Sequence, residues 1–464
     1  MKTTLRFFLT VVVLGFFLTG SLTAKERKLP AGAYIKTAKI HILSGDPERY
    51  KQAIIMLDSL FINYGPHAEG LFWMSQIYVD YIDKTPNLVG KQEYVKKMVA
   101  YNDSLRLCCD KNNKDVDDKY KKDCKKYIDK VDSTAVMYWR QFYNDGIAQL
   151  NKVKQIISDL ESESDSATIA FYNEQLKTFT DSCVNSINLA IIIDSTDYQP
   201  YVVMGTLSEQ QKDYKASNEW LQKALSYINT PKERNPLLVQ MAYNFINMNN
   251  FCDAIPYFKE YVQNAPEDVA NARNLTICYN NCEMFDSAYV LNKKLLEQFP
   301  DDTEVMTSIG RYWNQMGRLA SDSANRCRQA QNETCAKEMQ DKSQINFDSA
   351  SVYFKKAFEL KSDDKFAAEE YAIVTAILGR YEEATVPFIR LTELEPMESN
   401  YWTYLGDCYL NLRKFKESAG AYEKVIELEP ENMNILERLE GLYQELKMDK
   451  KLKIVQDKLA ELKK

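Results

Sequence analysis

Ten cysteines and two histidines carry most of the reactive chemistry open to this 464-residue chain, and their spacing decides what that chemistry could be. Cys278 and Cys282 stand one helical turn apart, but no second pair follows at zinc-ribbon spacing and both imidazoles lie far away in sequence. A Ser-His or Cys-His nucleophile pair would have to use His41 or His67, and no nucleophile motif surrounds any Ser or Cys. Glycine-rich phosphate loops are absent. The carboxylate neighbours Glu369 and Glu370, or Glu382 and Glu383, are ordinary residues of solvated helix faces. The expectation is a protein that is not an enzyme, with no catalytic residue, cofactor or metal.

The cysteines instead suit cross-links. Cys108 and Cys109 can meet Cys124, and Cys327 can meet Cys335, each near the tip of a helical hairpin that has few other contacts. Cys252 and Cys282 form a third candidate pair, while Cys183, Cys278 and Cys408 sit on apolar faces as small buried residues. Such bonds require an oxidising compartment. Lys2 and Arg6 precede an apolar run from Phe7 to Leu18, and Ser21, Thr23 and Ala24 supply small residues for cleavage, the pattern of a signal peptide over 1–24. The run is short for a membrane span and is interrupted by Thr10 and Gly15, so periplasmic export is the reading and an uncleaved inner-membrane anchor the alternative. No stable membrane insertion is expected after cleavage.

Cleavage would remove two of the 59 basic residues and none of the 66 acidic ones, deepening the formal charge from −7 to about −9. A nucleic-acid partner is therefore not expected, because binding a phosphate backbone needs a basic field or stripe. The lysine-rich stretch from Asp110 to Lys130 alternates with aspartates and reads as a solvated helix face.

The elements that must position these residues repeat. Ala254, Phe258 and Pro266 return thirty-four residues later as Ala288, Asn292 and Pro300, and Ala384, Phe388 and Pro396 return as Ser418, Tyr422 and Pro430. A period of that length means stacked helical units that bury their faces against neighbours. The clearest unit holds Trp402, Leu405, Gly406, Tyr409, Phe415, Tyr422 and Pro430. It resembles the tetratricopeptide repeat family, whose first helix carries a Leu-Gly pair and whose second carries an Ala and an aromatic. The resemblance implies an all-α, right-handed α-solenoid of about nine to ten helix-turn-helix units. Asn292 in place of the aromatic, and Ser217, Ser418 and Thr276 in place of smaller groups, depart from the pattern.

Two regions break the period. The interval from Gly317 to Ala350 is 28 residues longer than the matching interval from Gly379 to Ala384. Four extra heptads lengthen each helix of one unit by about 21 Å and give a projecting hairpin. Farther upstream, Val95, Met98 and Leu105 return through Tyr120, Cys124, Tyr127 and Val131 as one pair. Val136, Trp139, Tyr143, Leu150, Val153, Ile157 and Leu160 face Ile169, Tyr172, Leu176, Phe179, Cys183, Ala190 and Ile193 as another. The resulting division is a signal peptide at 1–24, divergent repeats at 25–85, elongated hairpins at 86–197, repeats at 198–319, an inserted hairpin at 320–347, and repeats with a lysine-rich capping helix at 348–464.

The resemblance also implies a binding groove lined by the first helix of each unit. Its inward positions here are Tyr243, Asn247, Arg273, Asn280, Asn281, Arg311, Asn314 and Gln315, then Glu369, Thr403, Asp407 and Asn411. Two arginines among amides can hydrogen-bond peptide carbonyls or a carboxylate. The leading expectation is a non-enzymatic scaffold or adaptor of the bacterial cell envelope that binds a partner protein or peptide. A periplasmic carrier or chaperone for peptides or outer-membrane clients, and a cell-wall or glycan binder, are the alternatives. Composition names neither the partner nor an oligomeric state.

Overall fold

In the computed structural model, residues 28–463 are described, and the expected signal peptide lies outside them. The chain forms two compact units that divide after Ile228. Helices fill both, joined by short turns, and no strand occurs among the described residues.

The first unit holds α1 (Ala31–Ile42), α2 (Pro47–Tyr64), α3 (Ala68–Lys84), α4 (Leu88–Cys108), α5 (Cys124–Ser162), α6 (Ser166–Ile193), α7 (Gln199–Gln210) and α8 (Tyr214–Leu225). The second holds α9 (Pro231–Asn247), α10 (Phe251–Asn264), α11 (Val269–Asn281), α12 (Phe285–Gln298), α13 (Thr303–Gln329), α14 (Glu333–Leu360), α15 (Lys365–Ile377), α16 (Tyr381–Leu394), α17 (Ser399–Asn411), α18 (Phe415–Leu428), α19 (Met433–Glu445) and α20 (Asp449–Leu462). Consecutive odd and even helices pack as pairs, ten in all among the described residues.

The thirty-four-residue period is visible in the chemistry of each start and stop. Asp268, Asp302, Asp364 and Asn432 accept hydrogen bonds from backbone amides in the first turns of α11, α13, α15 and α19, satisfying donors that a helix start leaves open. Within each pair of the second unit the chain reverses through one residue in the left-handed region: Asn249, Glu283, Gln331, Gly379, Arg413 and Lys447, with φ between 54° and 70°. Only Gly379 of these adopts that conformation without steric penalty.

Pairs are locked where a small residue of the first helix meets a large one of the second. A methyl group built on Gly310 would lie 2.5 Å from Phe354, and one on Gly406 would lie 2.5 Å from Tyr422. Gly205 meets Leu221 in the same way, and Gly146 on α5 meets Ile187 on α6. Ala242 and Ala372 fill the equivalent places in α9 and α15 and are fully buried. Ridges of one helix enter the grooves of the other at these points.

The stretch between α4 and α6 departs from the expectation. Tyr127 and Val131 do not end a returning helix; they open the 39-residue α5, which runs on unbroken to Ser162. Its buried stripe is Tyr127, Val131, Tyr138, Phe142, Gly146, Leu150, Val153 and Ile156, whereas Val136 is 48% exposed. No Gly or Pro interrupts 124–145, so nothing in the chain stops the helix there. The lysine-rich stretch is likewise no helix before Cys124: it is a loop with one 3₁₀ turn at Asp118–Tyr120. The expected boundary at 85/86 falls between α3 and α4, which pack as a pair.

Candidate interaction face

Successive first helices of the second unit repeat one exposed stripe at i, i+4, i+7 and i+11, which is a single helix face. It carries large apolar side chains where solvent-facing residues are usually polar: Tyr243 on α9, Ile277 on α11, Phe366 and Ile377 on α15, and Tyr404 on α17, each 41–50% exposed. Tyr243 and Ile277 occupy the same register one repeat apart, and the Tyr243 hydroxyl accepts a 2.7 Å hydrogen bond from Asn274 on the neighbouring helix. Carboxamides border them. Asn247 and Asn281 stand four residues beyond Tyr243 and Ile277, Asn411 stands seven beyond Tyr404, and all three are exposed. Asn281 and Asn411 donate to the backbone oxygens of Ile277 and Asp407 at 2.9 and 2.8 Å, which leaves their amide oxygens as acceptors.

The arginines expected to seize a ligand are already engaged. Arg273 pairs with Asp302 and, at 2.6 Å, with Glu304 at the start of the next first helix. Arg311 donates through Nε to Glu370 on α15 at 3.0 Å, and its guanidinium lies 3.9 Å above the Phe366 ring. Asp407 is held by Arg438 of α19. The first unit repeats the device with Lys39 of α1 and Glu69 of α3. These are bridges between consecutive units. Asn314 is corrected too: at 7% exposure it is buried beside Glu370, with a 3.4 Å contact through Nδ2. Asn280 is exposed, Gln315 and Glu369 are half-buried, and Thr403 donates to its own helix at Ser399. The apolar members Ile277, Phe366, Ile377 and Tyr404 were missed by sequence reasoning, although the repeat register could have found them.

Three disulfides are present, Cys109–Cys124, Cys252–Cys282 and Cys327–Cys335, with Cα separations of 5.6–5.7 Å. Cys108 is not bonded. It belongs to the buried stripe of α4 with Val95, Met98, Asn102 and Leu105, while Cys109 caps that helix and reaches Cys124. Cys108, Cys183, Cys278 and Cys408 are free and buried, and burial pushes each thiol up to about 11. Such groups are poor nucleophiles near neutrality, because the thiolate is the reactive form. Burial also pushes the His67 imidazole down, and the ring sits 5.1 Å from that of Tyr120. The Nδ1 atoms of His41 and His67 are buried without a hydrogen-bond partner. No group of three or more His, Cys, Asp or Glu among the described residues is placed to hold a metal ion. No described helix is long and apolar enough to cross a membrane.

Residues 399–432, covering α17, α18 and the following turn, match the tetratricopeptide repeat family. No curated protein matches the sequence. Among solved structures, a tetratricopeptide repeat protein from Parabacteroides merdae ATCC 43184 is 14% identical with a TM-score of 0.36, over 57% of this chain and 99% of its own. YrrB, described as a tetratricopeptide repeat protein with an unusual peptide-binding site, is 16% identical with a TM-score of 0.34, over 47% of this chain and 96% of its own. MamA is 16% identical with a TM-score of 0.31, over 41% and 94%.

Proposed function

We propose that this chain, which is a tetratricopeptide repeat protein, works as a non-catalytic scaffold of the bacterial cell envelope, exported and holding a partner protein or peptide on its first-helix face. The observation that carries the reading is the exposed stripe of Tyr243, Ile277, Phe366, Ile377 and Tyr404, edged by Asn247, Asn281 and Asn411. Apolar side chains exposed on one face of four first helices offer anchors for a partner, and the amides beside them offer hydrogen bonds to its backbone. The N-terminal Lys2 and Arg6, the apolar run after them and the three disulfides support an oxidising, exported setting.

The test is capture from envelope extracts by the full chain and by a variant carrying Ile277→Ser, Phe366→Ser and Tyr404→Ser. Discrete partners should copurify with the parent and be lost from the variant while its helical circular dichroism is unchanged. Undiminished capture by the variant would remove the first-helix face from the account. Weak binding of many unfolded clients with suppression of their aggregation would favour the carrier reading, and retention on purified wall material the glycan-binding one.

A further inference from the structure

The end of a helical stack stays soluble when its outer side is polar. At the C-terminal end this holds: among the large apolar residues of α19 and α20 only Ile454 is more than half exposed. The first pair differs. Ile40 on α1, Leu43 at the C-terminus of α1, and Ile55 and Ile62 on α2 are 60%, 75%, 51% and 76% exposed. Ile40 and Leu43, three residues apart, share one side of α1, and Ile55 and Ile62, seven apart, share one side of α2. The two helices pack as antiparallel partners, with the Tyr34 ring 6.4 Å from that of Tyr64. No pair precedes α1 among the described residues to cover them.

The charge around these side chains calls for an anionic cover. Residues 25–64 hold seven Lys or Arg against four Asp or Glu, in a chain where the count is 59 against 66. Asp46 and Glu48 are taken by Arg49 and Lys51, and Lys39 by Glu69. Asp58 lies half-buried beside Tyr78 and Tyr101 of the second pair. Lys28, 4.3 Å above the Tyr64 ring, and Lys36 make no ion pair among the described residues. A second copy of the chain would bring a second excess of cations to the contact, and the lysine-rich α20 would do the same. Position adds a further reason. Leu18, the end of the apolar run read as a signal peptide, stands ten residues before Lys28, and ten extended residues span about 35 Å at most. On the exported reading proposed above, the first pair is thus the part of the fold delivered next to the bilayer.

From this arrangement we infer that the outer side of α1 and α2 docks reversibly on an anionic lipid surface. Ile40, Leu43, Ile55 and Ile62 enter the headgroup boundary, Lys28 and Lys36 meet lipid phosphates, and the neighbouring cations of the sequence, Lys25 and Arg27, add to the attraction. The contact is peripheral, and none of the described helices crosses the bilayer. It lies in the first unit and uses no residue of the face formed by α9, α11, α15 and α17.

The experiment is flotation of a chain starting at Lys25, which keeps every described residue and lacks the apolar run, with vesicles of equimolar phosphatidylglycerol and phosphatidylcholine. The chain should float with these vesicles, bind phosphatidylcholine alone about tenfold more weakly, and come off as salt rises. Leu43→Ser, Ile55→Ser and Ile62→Ser together should weaken binding about tenfold, whereas Ile277→Ser with Tyr404→Ser should leave it unchanged. Lys28→Gln with Lys36→Gln should weaken it about fivefold, which keeps the test open should the serine variant lose its helices. Equal binding of both kinds of vesicle, or full affinity in both first-pair variants, would overturn the proposal. So would lipid-free dimers that vanish with the same serines, or capture of an acidic leucine-glutamate peptide in place of the vesicles.

Discussion

Gly406 shows how much a single residue decides. Its lack of a side chain lets the Tyr422 ring lie against α17, where the hydroxyl also reaches Asp407 and Arg438 contacts both. Gly406→Ala should destabilise by about 1–3 kcal/mol, the range for overfilling a close contact, while Gly420→Ala, with nothing within 4 Å, should stabilise by about 0.5–1 kcal/mol. Urea unfolding of the two variants checks both signs. Burial makes a second prediction through the thiols. Cys108, Cys183, Cys278 and Cys408 have folded values raised to about 11, so their contribution to stability is whole below the ordinary thiol range and is lost as pH rises through 11. Iodoacetamide at pH 8 should leave all four unmodified in the native protein and label them after unfolding in urea. The glycine contact was legible in the sequence because the period repeats it. The engagement of Arg273 and Arg311 was not, since their partners Asp302, Glu304 and Glu370 sit on other helices and only folding reveals the distance.

At the scale of elements, the period identified helix pairs and their turns but not where an overlong helix ends. The apolar spacing slips between Val131 and Val136, which reads as a break between two hairpins; the actual stripe continues from Val131 through Tyr138 and Phe142, and Val136 faces solvent. The turns make a sharper prediction. Arg413 and Lys447 hold φ of 56° and 54°, a conformation that strains any side chain bearing a Cβ. Arg413→Gly and Lys447→Gly should each stabilise by about 0.5–1 kcal/mol, read as a rise in the urea midpoint, whereas Gly379→Ala should lower it. The cross-links differ by the chain they close. Cys252–Cys282 spans 30 residues and Cys327–Cys335 spans 8, and loop-closure entropy gives roughly 3.6 against 2.5 kcal/mol. Replacing Cys252 by Ser should therefore lower stability more than replacing Cys327 by Ser, measured side by side under the same conditions.

Taken whole, each unit is a series of helix pairs whose apolar faces are closed by neighbours, as expected where no pair carries a core sufficient for itself. The ion pairs between consecutive first helices add a second set of ties. What the sequence conveyed at this scale was the class of architecture and the absence of a recognisable nucleophile or phosphate loop. The exposed apolar residues Ile277, Phe366 and Tyr404 were not singled out, although Ile277 stands one repeat beyond Tyr243, which was. The most direct measurement of the central claim, that recognition occurs on the first-helix face, is photo-crosslinking in living cells from a benzophenone amino acid placed singly at Ile277 and at Tyr404. Both positions should yield the same discrete adduct with one partner. Adducts absent from both positions, while partners still copurify with the parent chain, would contradict it.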